Sequence, residues 1–180
     1  MNLTMSSVSG FLSTALVALL PPAPGPDGGS RCAPRVDIEI DRLAPRNFYV
    51  PRAHYIDGPG GLMRGTVTRE HNVIASFGRG RDAQTSITID DLVRELHTLG
   101  FQHVEARHKV FAGHEFRREI SKGRYGHLRF RVLGYRVNWS AWSVLGTCRR
   151  VKIDSGVASV PARAEGWRYR ETRRPRPVGS

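Results

Sequence analysis

The sequence predicts a mainly β, antiparallel, sandwich-like single domain with one short α-helix. Three observations predict it. Short segments alternate apolar and polar residues, the period-2 signature of half-buried strands. Nineteen glycines and eleven prolines punctuate 180 residues, too many breakers for long helices. A single stretch carries apolar residues at helical spacing. The length suits one domain, and 39% hydrophobic residues can support its core.

Taken in order, "RVDIEIDRL" (35–43) alternates Val36, Ile38 and Ile40 with acids, which predicts a strand. "NFYVPRAHY" (47–55) reads as extended, with Pro51 favouring an edge or a strand end. "DGPGG" (57–61) is a turn. The β-branched run 62–77 predicts another strand, 78–83 ("GRGRDA") a loop and 86–89 ("SITI") a short strand. Leu92, Leu96 and Leu99 then recur at helical spacing. With Asp90 or Asp91 as cap and Gly100 as stop, they predict a helix over 90–99. Residues 101–111 read as a strand of mixed parity.

In 127–139 Leu128, Phe130 and Val132 share one parity, and Arg129 and Arg131 the other. Beyond Gly134 the apolar parity flips to Tyr135, Val137 and Trp139. A β-bulge at Gly134 would return both halves to one inward face. Arg129, Arg131 and Arg136 would then all face solvent.

At the N-terminus, "FLSTALVALL" (11–20) has the length of a signal-peptide apolar core and is too short to span a bilayer. The Pro/Gly-rich segment behind it reads as a linker, although no Lys or Arg precedes Arg31. Residues 1–31 are thus expected to be leader and linker, 32–172 the β-rich domain and 173–180 a disordered basic tail. Cys32 and Cys148 lack the spacing of a zinc or redox motif. In an oxidising compartment one bridge between them would stabilise by about 4–5 kcal/mol; in the cytosol they would be free thiols.

The net charge of +12 is regional. Residues 121–180 hold fourteen Lys/Arg against three Asp/Glu, and residues 1–120 fourteen against thirteen. A cationic face or tail follows, set against the plain alternative of arginine-rich composition with no partner.

Three motifs in order, within "FYVPRAHYIDGPGGLMRGTVTRE" (48–70), "ISKGRYGHLRFRVLGYRVNW" (120–139) and "SGVASVPARAEGWRYRET" (155–172), resemble a family of uncharacterised secreted actinobacterial proteins. That family carries a DGPGG turn, a GKYGH-type motif entering an aromatic strand and a closing GW-aromatic-ET segment. The resemblance covers residues 45–172. It implies export, a β-rich architecture and pairing of Cys32 with Cys148, and it implies no activity. The chain departs from the pattern in its charged middle (78–118) and at Arg170, where the family has an aromatic.

His97, His103, His108 and His114 match neither HxH nor HExxH, so no metal site is expected. His127, between Gly126 and the strand, suits a turn-stabilising hydrogen bond. His114–Glu115 has no accompanying nucleophile, and GxSxG, P-loop and GxGxxG motifs are absent from the sequence. No enzyme activity, cofactor or small-molecule substrate is expected.

The remaining signal is aromatic residues interleaved with the basic set Arg129, Arg131, Arg136, Arg149, Arg150, Lys152, Arg168, Arg170, Arg173, Arg174 and Arg176. It predicts a secreted, non-enzymatic protein contacting an anionic polymer, membrane or cell surface. One alternative is an intracellular nucleic-acid- or polyanion-binding protein; another is a β-hairpin pore former, which the charged middle disfavours.

Overall fold

The computed structural model describes residues 32–80 and 86–175. Its elements run β1 (Arg35–Asp57), β2 (Gly61–Thr66), β3 (His71–Ile74), β4 (Ser76–Arg79), α1 (Ile89–Thr98), β5 (Arg107–Val110), β6 (Glu115–Ile120), β7 (Tyr125–Val144) and β8 (Arg150–Thr172). The fold is mainly β and antiparallel. One four-stranded sheet has the order β1-β7-β8-β4, and two ribbons pair β2 with β6 and β3 with β5.

The segments 35–43 and 47–55 are one continuous strand rather than two. Pro45 is tolerated on an edge strand, and Pro51 falls between Tyr49 and His54, where β1 has no paired partner. The 57–61 turn is present, with Asp57 Oδ1 accepting from the Gly58 amide at 2.8 Å. Gly58, Gly60 and Gly61 there have φ of 124°, 73° and 91°, angles that side chains disfavour. The run 62–77 is not one strand; it divides among β2, β3 and β4.

"SITI" is no strand. Thr88 caps α1, its hydroxyl accepting from the Asp91 amide, while the Asp91 carboxylate accepts from the Thr88 amide. This capping box moves the helix start one residue ahead of the expected position. Leu92 and Leu96 are fully buried, Leu99 is exposed as the C-cap, and Gly100 stops the helix with φ of 93°. Of 101–111 only Arg107–Val110 is a strand.

The parity flip in β7 has a different cause from the expected one. Val132 pairs with Phe48, Leu133 with Asn47, Gly134 with Arg46 and Tyr135 with Pro45, without interruption. Side chains alternate along an unbroken ladder, so Val132 and Val137 face opposite sides. The core itself changes sides. Leu128, Phe130 and Val132 meet the ribbons on the front face. Val137, Trp139 and Ala141 meet α1 on the back.

An irregularity does fall at Gly134, but in the β7–β8 pairing. Val132 faces Glu165 and Gly134 faces Pro161, so two steps on β7 match four on β8. The surplus of two lies on β8, and an even surplus preserves the face. The ribbons therefore cover the front at the Tyr125 end, and α1 covers the back at the Val144 end. The three buried hydrophobic clusters of the described residues all fall in those two quarters.

Cys32 and Cys148 form a disulfide with Cα atoms 5.0 Å apart. It ties the start of β1 to the β7–β8 turn. Among the described residues, no helix is long and apolar enough to cross a membrane.

Candidate functional site

The bare back quarter carries the most concentrated positive charge. On β7, even positions 128–132 go forward to the ribbons, so His127, Arg129 and Arg131 go back. Across the ladder His127 pairs with Arg170, and Arg129 with Arg168. Two arginines sit directly opposite, an arrangement that costs stability by like-charge repulsion.

β1 completes the site through a large bulge. Tyr49 pairs with Arg131 and His54 with Arg129, so five steps on β1 match two on β7. Val50 and Ala53 turn into the front core. Arg52 takes φ of 62°, a conformation uncommon outside glycine. The bulge thereby keeps Tyr49 and His54 on the back, Tyr49 opposite Arg131 and His54 opposite Arg129.

Tyr49, His127, Arg129, Arg168 and Arg170 line a cup of about 210 Å³. The Arg129 guanidinium lies over the Tyr49 ring, 5.3 Å from its centroid. Arg168 donates to the Tyr49 hydroxyl at 3.2 Å. Arg129, Arg168 and Arg170 have no carboxylate partner among the described residues. The reason is parity. Glu165 and Glu171, which flank them in sequence, project forward, Glu171 to the Tyr169 hydroxyl at 2.7 Å and the Ser121 amide at 3.2 Å.

His127 is only 2% exposed. Its Nε2 meets Thr172 Oγ1 at 2.6 Å, and that hydroxyl donates to the Arg174 carbonyl. Thr172 has one proton to give, so Nε2 is the donor to it. Nδ1 is buried with no partner among the described residues. Burial holds the ring's pKa below its ordinary value, reinforced by Arg170 and Arg129 and opposed by the Arg174 carbonyl. His54 is also held low, by desolvation, then Arg129, His127 and Arg170. The bond expected to brace a turn instead ties β7 to the end of β8.

The basic residues singled out from sequence do not form one surface. Arg129, Arg168 and Arg170 converge in the cup. Arg131 lies beside them, its guanidinium donating to Asn47 Oδ1 at 2.8 Å. Arg136 was expected on the same face; the unbroken register puts it on the front, where it lines a separate cavity with Arg42, Ala44 and Asn138. Arg150 and Lys152 sit opposite Val144 and Trp142, roughly 40–50 Å along the sheet from Arg129 at strand spacing. There Arg150 pairs with Glu39 at 2.5 Å and covers the Trp142 ring. Arg149 is exposed in the β7–β8 turn, and Arg173 and Arg174 are exposed just past β8. Arg176 lies outside the described residues. A larger cavity, near α1 and the start of β1, has its arginines neutralised: Arg35 by Asp37, Arg94 by Asp91 and Arg150 by Glu39.

The aromatic residues are mostly core. Trp139 stacks on Phe77 at 5.0 Å, and Trp167 meets Phe130 edge-on at 5.0 Å. On the front, His108 lies between Glu105 (2.5 Å from Nδ1) and Glu165 (2.7 Å from Nε2), and His114 reaches Glu165 at 2.8 Å. His114 thus pairs with Glu165 rather than Glu115. His97 and His103 meet the Val104 carbonyl and the Tyr135 hydroxyl. Among the described residues no group of three or more His, Cys, Asp or Glu is arranged to hold a metal ion. Sequence reasoning missed Tyr49 and His54, whose recruitment depends on the β1 bulge. The Pro51-Arg52 pair was the available signal.

The sequence matches no protein-family model, and it matches no curated protein.

Proposed function

We propose that this chain is a secreted, non-enzymatic binding protein that contacts an anionic polymer or surface through the back face of the β1-β7-β8 sheet. The observation that carries this reading is the set Arg129, Arg131, Arg168 and Arg170 on one bare face, the cup arginines without carboxylate partners. Uncompensated guanidiniums side by side are unfavourable in the free protein and become favourable when phosphate, sulfate or carboxylate groups arrive. The disulfide supports export, because such bridges persist in oxidising compartments. The resemblance to secreted actinobacterial proteins supports the same compartment.

The test uses a short DNA duplex as a generic polyanion. Replacing Arg129, Arg168 and Arg170 together by Gln should reduce the slope of log affinity against log salt by about 2–3, the counterion release of the lost contacts. Replacing Arg42 and Arg136, on the front face, should leave it unchanged. Equal losses from both variants would refute a localised face and leave only bulk charge.

A further inference from the structure

We propose that the cup formed by Tyr49, His127, Arg129, Arg168 and Arg170 is a discrete site for a phosphomonoester dianion, free or at the end of a larger molecule. This inference rests on the reading above and narrows it from a charged face to one group.

Size is the first argument. At about 210 Å³ the cup falls below the ~300–1,000 Å³ of sites for drug-sized ligands, and its lining is polar apart from the Tyr49 ring. Charge is the second. Three guanidiniums converge with no carboxylate among them, and each presents a planar fork that matches phosphate oxygens. Such a set suits a group carrying two negative charges. A phosphomonoester reaches that state near neutral pH, its second pKa being about 6, whereas an internal diester carries one.

The buried imidazole is the third and independent argument. His127 lines the cup while Nδ1 has no partner, although unpaired buried nitrogens are costly. With Nε2 committed to Thr172, a second proton can go only to Nδ1, an atom shut off from the open cup, so the added charge would favour a bound anion through the local field rather than by a direct hydrogen bond. The groups facing the ring are Arg129 on β7, Arg170 and Thr172 on β8, the Arg174 carbonyl beyond it and His54 on β1. Cations dominate that list, so the ring stays neutral while the cup is empty. A dianion reverses the local field. His127 then takes one proton from solvent as the ligand binds, and no bond in the ligand is made or broken.

The test is binding of inorganic phosphate and glycerol phosphate to the full chain at pH 7.5, followed through the His127 ring signals by NMR. Both should bind with one-to-one stoichiometry and shift those signals toward the protonated ring. Dimethyl phosphate, a diester, should bind at least about tenfold more weakly. Arg168→Gln and Arg170→Gln, both at surface strand positions, should each weaken binding about tenfold or more, as expected for a charge-assisted bond. Arg42→Gln should not.

Vesicles containing phosphatidic acid, compared with phosphatidylglycerol, separate a lipid headgroup from free phosphate as the source. Preference for the former supports the site on a membrane, and equal indifference to both supports a soluble ligand. Diester binding as tight as monoester binding, or an unmoved His127 ring, overturns the proposal. If phosphate fails to bind while the arginine triple variant still loses its salt-dependent DNA affinity, the cup inference falls and the polymer reading stands. The opposite pattern removes the polymer reading alone.

Discussion

Gly134→Ala tests the account of the two-sided core at its crossing point. A Cβ built on Gly134 would lie 2.3 Å from the Val160 carbonyl oxygen, 2.7 Å from Phe48 Cε2 and 2.9 Å from Pro161 Cα. Even an unusually tight contact of 3.0 Å would need the Val160 oxygen to retreat by 3.0 − 2.3 = 0.7 Å. That oxygen belongs to β8 backbone whose Val160 pairs with Tyr135 and is itself fully buried. The ring of Phe48 can rotate, but the backbone of β8 moves only if β7 and β8 separate. Overpacking of this kind costs about 1–3 kcal/mol. The loss of unfolded-state freedom on Gly→Ala returns roughly 0.4–1 kcal/mol, so the net loss should be about 1–2 kcal/mol. With a urea slope of about 2 kcal/mol per molar, the unfolding midpoint should fall by roughly 0.5–1 M. Gly166→Ala is the control, because nothing lies within 4 Å of its Cβ position. It should leave the midpoint unchanged or raise it slightly. An unmoved midpoint for Gly134→Ala would show that β8 does not approach β7 as described.

Reducing the Cys32–Cys148 bridge, which spans a sequence separation of 116, should cost about 4–5 kcal/mol in the chain-entropy model; a denaturation midpoint indifferent to reductant would contradict it. Glu165→Gln removes the carboxylate shared by His108 and His114 and should cost about 1.5–3 kcal/mol. Hydrogen exchange should rise first in β3 and β5, and equal exchange there in variant and parent would refute a stabilising role for the shared carboxylate. For pH, the sign follows from His127, whose pKa lies below its unfolded value of about 6.5. Between the two values the unfolded chain binds more protons, so this group's contribution falls as pH drops through 6.5 and levels off below the folded value. In phosphate-free buffer its NMR titration midpoint should therefore lie under 6.5, and one above it would reverse the argument.

The mainly β class, the helix with its Gly100 stop and the 57–61 turn were all legible in the sequence, because each depends on neighbours within a few residues. β6 was not. Its inward parity holds Phe116, Arg118 and Ile120, and Arg118 covers the Tyr169 ring at 4.8 Å, so a charged residue interrupts the apolar alternation. The parity flip in β7 was visible, but its meaning was not. A bulge and a core that changes sides give the same string of residues, and only the partner strand's register separates them. The same ambiguity hid the site. Arg129 and Arg131 were singled out correctly as one face, whereas Arg136 was grouped with them across the flip. Tyr49 and His54 are five residues apart and become neighbours only through the β1 bulge.

The shared sheet also sets an order of events during synthesis. Arg35 finds its partner in Val144 and Asp57 in Gly126, so β1 waits for about seventy to a hundred and ten further residues before it can pair. The ribbons and α1 are all made before residue 125, yet each buries its apolar side against β7 and β8. Such distant pairings make folding slow, on the order of milliseconds to seconds, and leave apolar surface uncovered meanwhile. Until β8 emerges, the growing chain holds two half-cores and no wall to set them on. A chain of this topology is therefore expected to commit to its structure late and in one step, with β7 and β8 pairing first and both faces being covered together.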